Sequence, residues 1–189
     1  MGAVVRKYSS GSCHPERSEG SVPMFWYVAH TRHFREEMKV RDLLCGMGVD
    51  CFVPTVKRRK TRGSGMYEAP AVPNLVFVHA GRKAALELVN VRCVPMSYLR
   101  DCATRTLMVV GEKEMDSFRR VLEASIEEGG LVDRPLAVGD KVRVVKGPLQ
   151  GVEGNVLELQ GKYYVVVGIC GLLYARARIP RAWMERIDE

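Results

Sequence analysis

Two short stretches of this chain carry the residues best suited to contacting phosphate groups. One is the run Lys57-Arg58-Arg59-Lys60-Thr61-Arg62, whose polar, cationic and glycine-flanked sequence predicts a hairpin or a mobile loop. The other contains Arg32 and Arg35, and between them His33 and Phe34 offer rings that stack on a base. Such cations hold a strand by its phosphates without reading it, because readout needs contacts to the bases. The residues therefore predict a surface for a nucleic-acid backbone.

The charge of the chain is concentrated in the same region. Residues 24–63 contain nine Lys or Arg and four Asp or Glu, a net charge of +5, within a chain whose total is +7. Residues 64–137 carry −1 and residues 138–189 carry +2. A local excess of this kind suits nucleic acid or an acidic partner surface, and its alternative is a solvated face that keeps the protein soluble.

Other residue patterns that would indicate catalysis or metal binding do not reach a recognised form. The six cysteines include no CxxC pair, and His30 and His33 with Cys45 or Cys51 fit no standard zinc spacing. No motif anchors a pair of carboxylates, and the glycines of residues 63–65 lack the lysine and helix of a phosphate-cradling loop. We therefore expect no enzyme activity, no metal and no cofactor. Without a disulfide framework, a signal sequence or an apolar run of membrane-spanning length, the expected location is the cytoplasm, away from membranes.

Hydrophobic patterning places these residues on an α+β domain, with helices packed on an antiparallel sheet. Residues 1–23 are polar and turn-rich, so we predict a disordered leader, with Met24 as the biological start. The predicted strands are residues 25–30, 49–56, 75–79, 94–100 and 106–110, and the predicted helices are residues 34–47, 82–90 and 112–128. The domain therefore covers residues 24–128, and residues 129–137, with Gly129-Gly130, form a linker.

The last part of the chain, residues 138–189, predicts a small β-barrel. Valine-rich strands run into the turn Gly147-Pro148-Leu149-Gln150-Gly151, and Gly154 interrupts the next strand as a bulge or a barrel corner would. A hairpin at Gln160-Gly161 returns the chain, and residues 173–179 alternate apolar and polar side chains. Short strands with glycine corners are typical of a closed barrel. The segment resembles the KOW motif, an SH3-like barrel of transcription elongation factors and some ribosomal proteins.

Taken together, the two domains resemble the NusG family of transcription elongation factors, which place an NGN domain before a KOW barrel. Trp26-Tyr27-Val28 resembles the aromatic first strand of the family, and residues 72–78, Val-Pro-Asn-Leu-Val-Phe-Val, resemble its Phe-Pro-Gly-Tyr strand. Asn74 in place of glycine, and the stretch of residues 98–110, are most similar to the UpxY- and RfaH-like antiterminators. The resemblance covers residues 25–189.

The resemblance implies that an apolar depression on the sheet docks on the clamp helices of the largest RNA polymerase subunits. By alternation, Leu75 and Phe77 point to one face of their strand and Val76 and Val78 to the other, so one set packs on helices and the other is left for a partner. Matching to the family gives the docking candidates His30, Val72, Pro73, Leu75 and Phe77. Their alternative interpretation is ordinary core.

The resemblance also assigns nucleic-acid and partner contacts. Arg32 matches a basic position that faces the non-template DNA strand in the RfaH branch, and nascent RNA is the other candidate strand. The nucleic-acid candidates are Arg32, His33, Arg35, Lys57, Arg58, Arg59, Lys60 and Arg62. In the barrel, the loop Ile169, Cys170 and Gly171 matches the one that contacts Rho or a small-subunit ribosomal protein. Cys170 replaces a bulky aromatic residue there, which argues against Rho.

The C-terminal segment forms a helical hairpin over the polymerase site in the RfaH branch, and this chain is predicted to differ. Each interior glycine costs a helix about 1 kcal/mol relative to alanine. The glycines that would lie inside such a helical hairpin in this chain are Gly147, Gly151, Gly154, Gly161, Gly168 and Gly171. We therefore expect a stable barrel, flexibly tethered, that leaves Leu75 and Phe77 open to polymerase.

These expectations lead to one function and two alternatives. The first is a monomeric factor that binds elongating RNA polymerase and suppresses pausing or termination, in a specific operon such as one for polysaccharide synthesis. The second is a ribosome-associated or RNA-binding KOW protein without polymerase contact, against which the modest +2 of residues 138–189 argues. The third, an enzyme, has no candidate site.

Overall fold

The computed structural model describes residues 23–59, 65–124, 131–132 and 139–187. These ranges leave out the predicted leader, except Pro23. They also leave out Gly129-Gly130 of the predicted linker. The first sheet is built on β1 (Met24–Thr31), which pairs antiparallel with β5 (Leu75–Gly81) on one side. On its other side β1 pairs with β6 (Met96–Tyr98) and β7 (Val109–Val110). The outer strand β2 (Asp50–Phe52) pairs with β5, so every pairing in this sheet is antiparallel.

Helices cover both faces of this sheet. The described α-helices are α1 (Glu37–Gly46), α2 (Arg82–Asn90) and α3 (Glu112–Ala124). Val76 and Val78 pack with buried residues of α1 and α2, whereas Leu75 and Phe77 share a cluster with α3. The alternation predicted along β5 is therefore confirmed, and the expectation that one face stays uncovered is wrong. The apolar stripe of α3, which includes Met115, takes that face.

The strand predicted for residues 49–56 is two separate strands. The chain leaves the sheet after β2, passes Val53 and Pro54, and continues as β3 (Thr55–Arg59). β3 pairs with β4 (Met66–Pro70) in a separate two-stranded ribbon. Of the two alternatives predicted for this segment, a hairpin or a mobile loop, the pairing of β3 with β4 favours the hairpin, and residues 60–64 between the strands lie outside the described residues.

The C-terminal segment forms strands, as the glycine and valine content predicts, and no helical hairpin is present in its described residues. Its antiparallel sheet follows the order β13-β9-β10-β11-β12-β8. The strands are β8 (Leu131–Val132), β9 (Lys141–Val144), β10 (Glu153–Leu159), β11 (Lys162–Ile169), β12 (Leu173–Arg178) and β13 (Met184–Arg186). The path is open within the described residues, because the end strands β13 and β8 do not pair with each other, so the closed barrel predicted for this segment is not shown.

Gly154 lies within β10 where two strand backbones come close together. A Cβ added at this position would lie 2.5 Å from the carbonyl oxygen of Val166, so only glycine fits there. The sequence feature that predicted a bulge or corner therefore corresponds to this close backbone approach.

The two sheets are packed through α3. Buried residues of α3 belong to one continuous cluster that includes Val28 and Phe77 of the first sheet and Val165 and Ala175 of the second. Within the predicted linker, β8 pairs with β12. The expectation that a flexibly tethered second domain leaves Leu75 and Phe77 open is therefore wrong for this structure, because the buried residues of α3 pack with residues of both sheets in one cluster.

Candidate nucleic-acid and polymerase interface

The loop between β1 and α1 presents four exposed side chains in succession. Arg32, His33, Phe34 and Arg35 are all exposed, and Phe34 retains 65% of its accessible surface. The guanidinium of Arg35 lies over the Phe34 ring, 5.1 Å from its centre. Within the described part of the chain, neither Arg32 nor Arg35 forms a salt bridge. The loop therefore offers two cations and two rings to an incoming ligand.

Hydrogen bonds to Asn74 fix the backbone of this loop. The Arg35 N–H donates to the side-chain oxygen of Asn74 at 3.2 Å, and the Thr31 N–H donates to the Asn74 carbonyl at 2.9 Å. The Thr31 hydroxyl donates to the His33 carbonyl at 2.9 Å. Arg35 itself has a φ of 63°, which explains why α1 begins at Glu37 and not at residue 34 as predicted.

Asn74 occupies the position where the family resemblance places glycine, and its backbone shows why. Its φ is 63°, in the left-handed region, where asparagine is better tolerated than most residues with a side chain. Unlike glycine, it brings a carbonyl oxygen that accepts from the Arg35 N–H. The departure from the glycine pattern therefore couples the 71–74 turn to the basic loop.

Glu37 is a functional candidate that the sequence reasoning missed. Its carboxylate is fully buried, and Oε1 accepts a hydrogen bond from the Asn74 N–H. Oε2 has no hydrogen-bond partner among the described residues. Acidic residues are generally favoured in the first turn of a helix. The sequence therefore does not distinguish an exposed acidic residue at the helix start from a buried one that binds another segment. The role of Glu37 is apparent only in the fold, which places Asn74, distant in sequence, beside it.

Besides the buried Glu37, the acidic neighbour of the loop in sequence is Glu36, which is half-buried. Glu36 pairs with Lys39 at 2.9 Å, and this hydrogen bond, with weaker attraction from Lys39 and His33, lowers the pKa of the Glu36 carboxyl. Glu36 thus stays charged at neutral pH, and its charge is offset within α1 by Lys39. The basic character of Arg32 and Arg35 is retained.

The β3–β4 ribbon carries the second basic group. Lys57, Arg58 and Arg59 are exposed and lie opposite Glu68, Tyr67 and Met66, respectively. Lys60 and Arg62 lie outside the described residues. The ribbon returns through residues 71–74 to β5, and the Ala71 N–H donates to the Pro54 carbonyl at its base. The base of the ribbon and the β1–α1 loop therefore both adjoin the 71–74 turn.

The structure divides the five predicted polymerase contacts into two sets. His30 and Pro73 are exposed and Val72 is half-buried, whereas Leu75 and Phe77 are 2% and 0% exposed. His30 pairs with Leu75, so their side chains share a face of the sheet. The predicted contact residues are thus neighbours, but two of them are core.

Contacts to Trp26 explain which end of the sheet face that carries His30, Leu75 and Phe77 is covered by α3. Arg119 of α3 lies 4.2 Å from the Trp26 ring centre and 4.7 Å from that of Phe52. On its other side Trp26 stacks on His79 at 4.7 Å, and its Nε1 donates to Glu112 at 3.2 Å. These contacts hold α3 over the Trp26 end of β1, while His30 at the opposite end remains exposed.

The predicted partner loop of the second sheet is largely engaged within the protein. Ile169 is buried, and the Cys170 thiol donates to the carbonyl of Val109 in the first sheet at 3.6 Å. Burial raises the pKa of the Cys170 thiol. Gly171 and Leu172 are exposed, so they form the accessible part of the loop.

Arg120 of α3 makes a further contact between the two sheets. Its Nη2 donates to the carbonyls of Pro148 and Gln150 at 2.8 and 2.9 Å. The turn 147–151, recognised in the sequence for its glycines and proline, therefore supplies backbone acceptors to α3. No sequence signal distinguished Arg120 from other charges on that helix.

Within the described ranges, no group of three or more His, Cys, Asp and Glu side chains is arranged to hold a metal ion. No described helix has the length and apolar content needed to cross a membrane.

Comparisons with known proteins identify the family. A solved structure of NusG from Thermotoga maritima, concerned with domain interaction, is similar with a TM-score of 0.47 and 20% identity, covering 89% of this chain and 100% of that one. No curated protein matches the chain in a sequence comparison. The family model described as "Transcription termination factor nusG" matches residues 24–119, which is more than half of the chain. The chain therefore belongs to the NusG family of transcription elongation factors, non-enzymatic proteins that bind RNA polymerase.

Proposed function

We propose that this protein is an antiterminator of the UpxY- and RfaH-like kind, which holds a single nucleic-acid strand of the elongation complex on its β1–α1 loop. The observation that carries the proposal is the set of exposed side chains Arg32 to Arg35 on a backbone fixed by Asn74 and Glu37. A fixed loop binds a strand with a smaller loss of conformational entropy than a mobile one.

The chemistry of the loop favours a single strand over a duplex. Arg32 and Arg35 neutralise phosphates, and the Phe34 ring, 65% exposed, is available to stack on a base that is not paired. In an elongation complex the exposed non-template DNA strand has that character, and nascent RNA is the alternative strand. Lys57, Arg58 and Arg59 are further exposed cations, on the ribbon whose base adjoins the 71–74 turn.

We further propose that polymerase docks on the uncovered end of the sheet face. His30, Val72 and Pro73 lie there, beside the end of the face that α3 covers. Leu75 and Phe77 lie on the same face of the sheet and are buried, so they support this surface without being exposed. The expected partner is the pair of clamp helices of the largest polymerase subunit, and gripping them would keep the clamp closed around nucleic acid.

The second sheet is proposed to be the SH3-like KOW domain, acting in a monomeric cytoplasmic protein. Its strand content and glycine-dependent backbone contacts support this assignment. Gly171 and Leu172 are the accessible residues for a small-subunit ribosomal protein, and the Cys170 contact to Val109 leaves no protruding anchor for Rho. Action on a single operon, such as one for polysaccharide synthesis, remains part of the proposal.

The proposal is tested by the salt dependence of binding to a single-stranded oligonucleotide. We expect the double variant Arg32→Gln, Arg35→Gln to bind more weakly and to reduce the slope of log K against log salt by about 1.4, because each single-strand phosphate contact contributes about 0.7. The double variant Arg82→Gln, Lys83→Gln is the matched control, since both residues are exposed at the start of α2, near the Met24 end of β1. Equal slopes for the wild type and the double variant would exclude this loop as the binding surface.

The polymerase contact has a separate test. His30→Asp places a charge on the proposed docking surface without entering the core, and we expect it to lower retention of purified RNA polymerase. Val91→Asp is the control, because Val91 is 74% exposed after α2 on the other side of the sheet. Unchanged retention by the folded His30→Asp variant would remove this surface from the account.

A further inference from the structure

Two thiols face each other where α1 ends. Cys45 is in the last turn of α1 and Cys51 is in β2, and their Sγ atoms are 3.7 Å apart. Cys45 is exposed and Cys51 is half-buried. Among the other described cysteines, Cys93 and Cys102 are exposed and neither contacts a second thiol. The pair is therefore distinct from the remaining cysteines in its geometry.

A tight turn fixes the approach of the two thiols. The Gly48 N–H donates to the Cys45 carbonyl and the Val49 N–H donates to the Leu44 carbonyl, each at 3.0 Å. With Gly48 at a φ of 73°, these two bonds form the Schellman motif that ends a helix. The chain reverses directly after Cys45 and enters β2, so the contact between Cys45 and Cys51 is set by the backbone.

The two sulfurs differ in reactivity. Burial, together with the neighbouring Cys45 thiol and the Asp50 carboxylate, raises the pKa of Cys51 to about 12. The Cys51 thiol also lies 3.7 Å from the carbonyl of Arg41, to which it donates. Cys45, at the surface, is the thiol that an external reagent meets first.

We propose that Cys45 and Cys51 form a redox-active dithiol that reacts with low-molecular-weight disulfides. The Cys45 thiolate attacks one sulfur of the reagent, forming a mixed disulfide and releasing one thiolate. Cys51 then attacks the Cys45 sulfur, its proton passing to the released thiolate, and displaces the second half of the reagent. Two protein thiols are oxidised to one disulfide and one reagent disulfide is reduced to two thiols, so atoms and electrons balance.

The bond fits the local structure. A disulfide needs a sulfur separation of about 2.05 Å, so the two atoms must approach each other by about 1.7 Å. Cys45 is an exposed residue in the last turn of α1, so its side chain is not enclosed by packed neighbours. The product links the last turn of α1 to β2. Glu37, which holds Asn74, is at the opposite end of the same helix.

Oxidised glutathione is the probe, and peptide mapping of the full-length wild-type protein is the test. After treatment, remaining thiols are alkylated and the protein is digested with trypsin, which cuts after Arg41 and Lys57 and leaves both cysteines in the peptide of residues 42–57. We expect this peptide without alkyl groups and lighter than its reduced form by two hydrogen atoms. The peptides that contain Cys93 and Cys102 should carry an alkyl group or glutathione, never an internal link.

Two variants assign the order of the steps. Cys51→Ser should retain glutathione on Cys45, because the displacing thiol is missing, whereas Cys45→Ser should leave Cys51 without glutathione. The proposal is overturned if the wild-type peptide of residues 42–57 carries two alkyl groups, or a stable glutathione, under conditions that modify Cys93. That wild-type result stands even if a variant fails to fold.

Discussion

The apolar strand residues Leu75 and Phe77 and the basic loop Arg32–Arg35 were both predicted as contact surfaces, and the structure treats them in opposite ways. Leu75 and Phe77 are 2% and 0% exposed, in a cluster with α3. The four loop residues are all exposed, on a backbone fixed by Asn74. Alternation along a strand identifies residues that share a face, but it does not say what covers that face. Charged residues in a loop are rarely buried, because burying a charge is unfavourable. Their exposure is therefore easier to predict from sequence than that of apolar strand residues.

The largest difference between the two regions should appear in stability. Phe77→Ala removes a fully buried ring and should lower the free energy of unfolding by about 3–5 kcal/mol. Phe34→Ala removes the same ring from a site that is 65% exposed and should change it by less than about 0.5 kcal/mol. Chemical denaturation of both variants measures the contrast. Similar values for the two would mean that Phe77 is not core.

Asn74 tests how the exposed loop is held. Asn74→Ala keeps a side chain at a φ of 63° but loses the acceptor, and should cost about 1–2 kcal/mol of stability. Asn74→Gly removes the acceptor without the backbone strain, so its stability loss should be smaller. Because both variants release the Arg35 N–H, both should weaken oligonucleotide binding. Wild-type binding by Asn74→Gly would show that the loop needs no support from Asn74.

Arg120 tests the packing on the covered side. Its side chain is about one-third exposed, so losing its bonds to Pro148 and Gln150 in Arg120→Ala should cost about 1 kcal/mol. Hydrogen exchange should become faster in residues 147–151, with little change in the β1–α1 loop. Arg105→Ala, an exposed residue of the 101–107 turn, is the control. Unchanged exchange in residues 147–151 would mean that the buried cluster alone holds the second sheet to α3.

The folded-state pKa of Glu36 is lowered, first by its hydrogen bond to Lys39. Its contribution to stability is therefore present above the ordinary carboxyl pKa and is lost as pH falls through the lowered value. Because Lys39 is exposed and Glu36 is half-buried, we expect a small effect, seen as a difference between wild type and Glu36→Gln that disappears in acid. A difference that grows as pH falls would contradict this assignment.

Local sequence signals predicted some elements closely and others poorly. α2 spans the predicted residues 82–90, because its apolar residues recur at helical spacing and Gly81 precedes it. The ribbon strand β4 and the edge strand β13 were missed, since they are short and depend on pairing with strands distant in sequence. Such long-range pairings leave no periodic pattern of apolar residues in the local sequence.

The candidate site shows the same division between local and long-range information. The basic residues were found from composition, and the unusual Asn74 was noticed in the sequence. Glu37, buried against Asn74, and Arg120, which donates to the 147–151 turn, were not found. Both contacts join residues far apart in the chain, and a charged side chain on a helix gives no indication of its long-range partner.

Hydrogen exchange of the full chain, alone and bound to a reconstituted elongation complex, tests the central claim most directly. The account predicts new protection in residues 31–36 and 71–74, which carry the exposed loop and the turn that supports it. Residues 76–78 should change little, because they are already buried and hydrogen-bonded in the centre of the sheet. Protection confined to residues 169–172 or 147–151, with none in the β1–α1 loop, would contradict the claim that the loop holds nucleic acid.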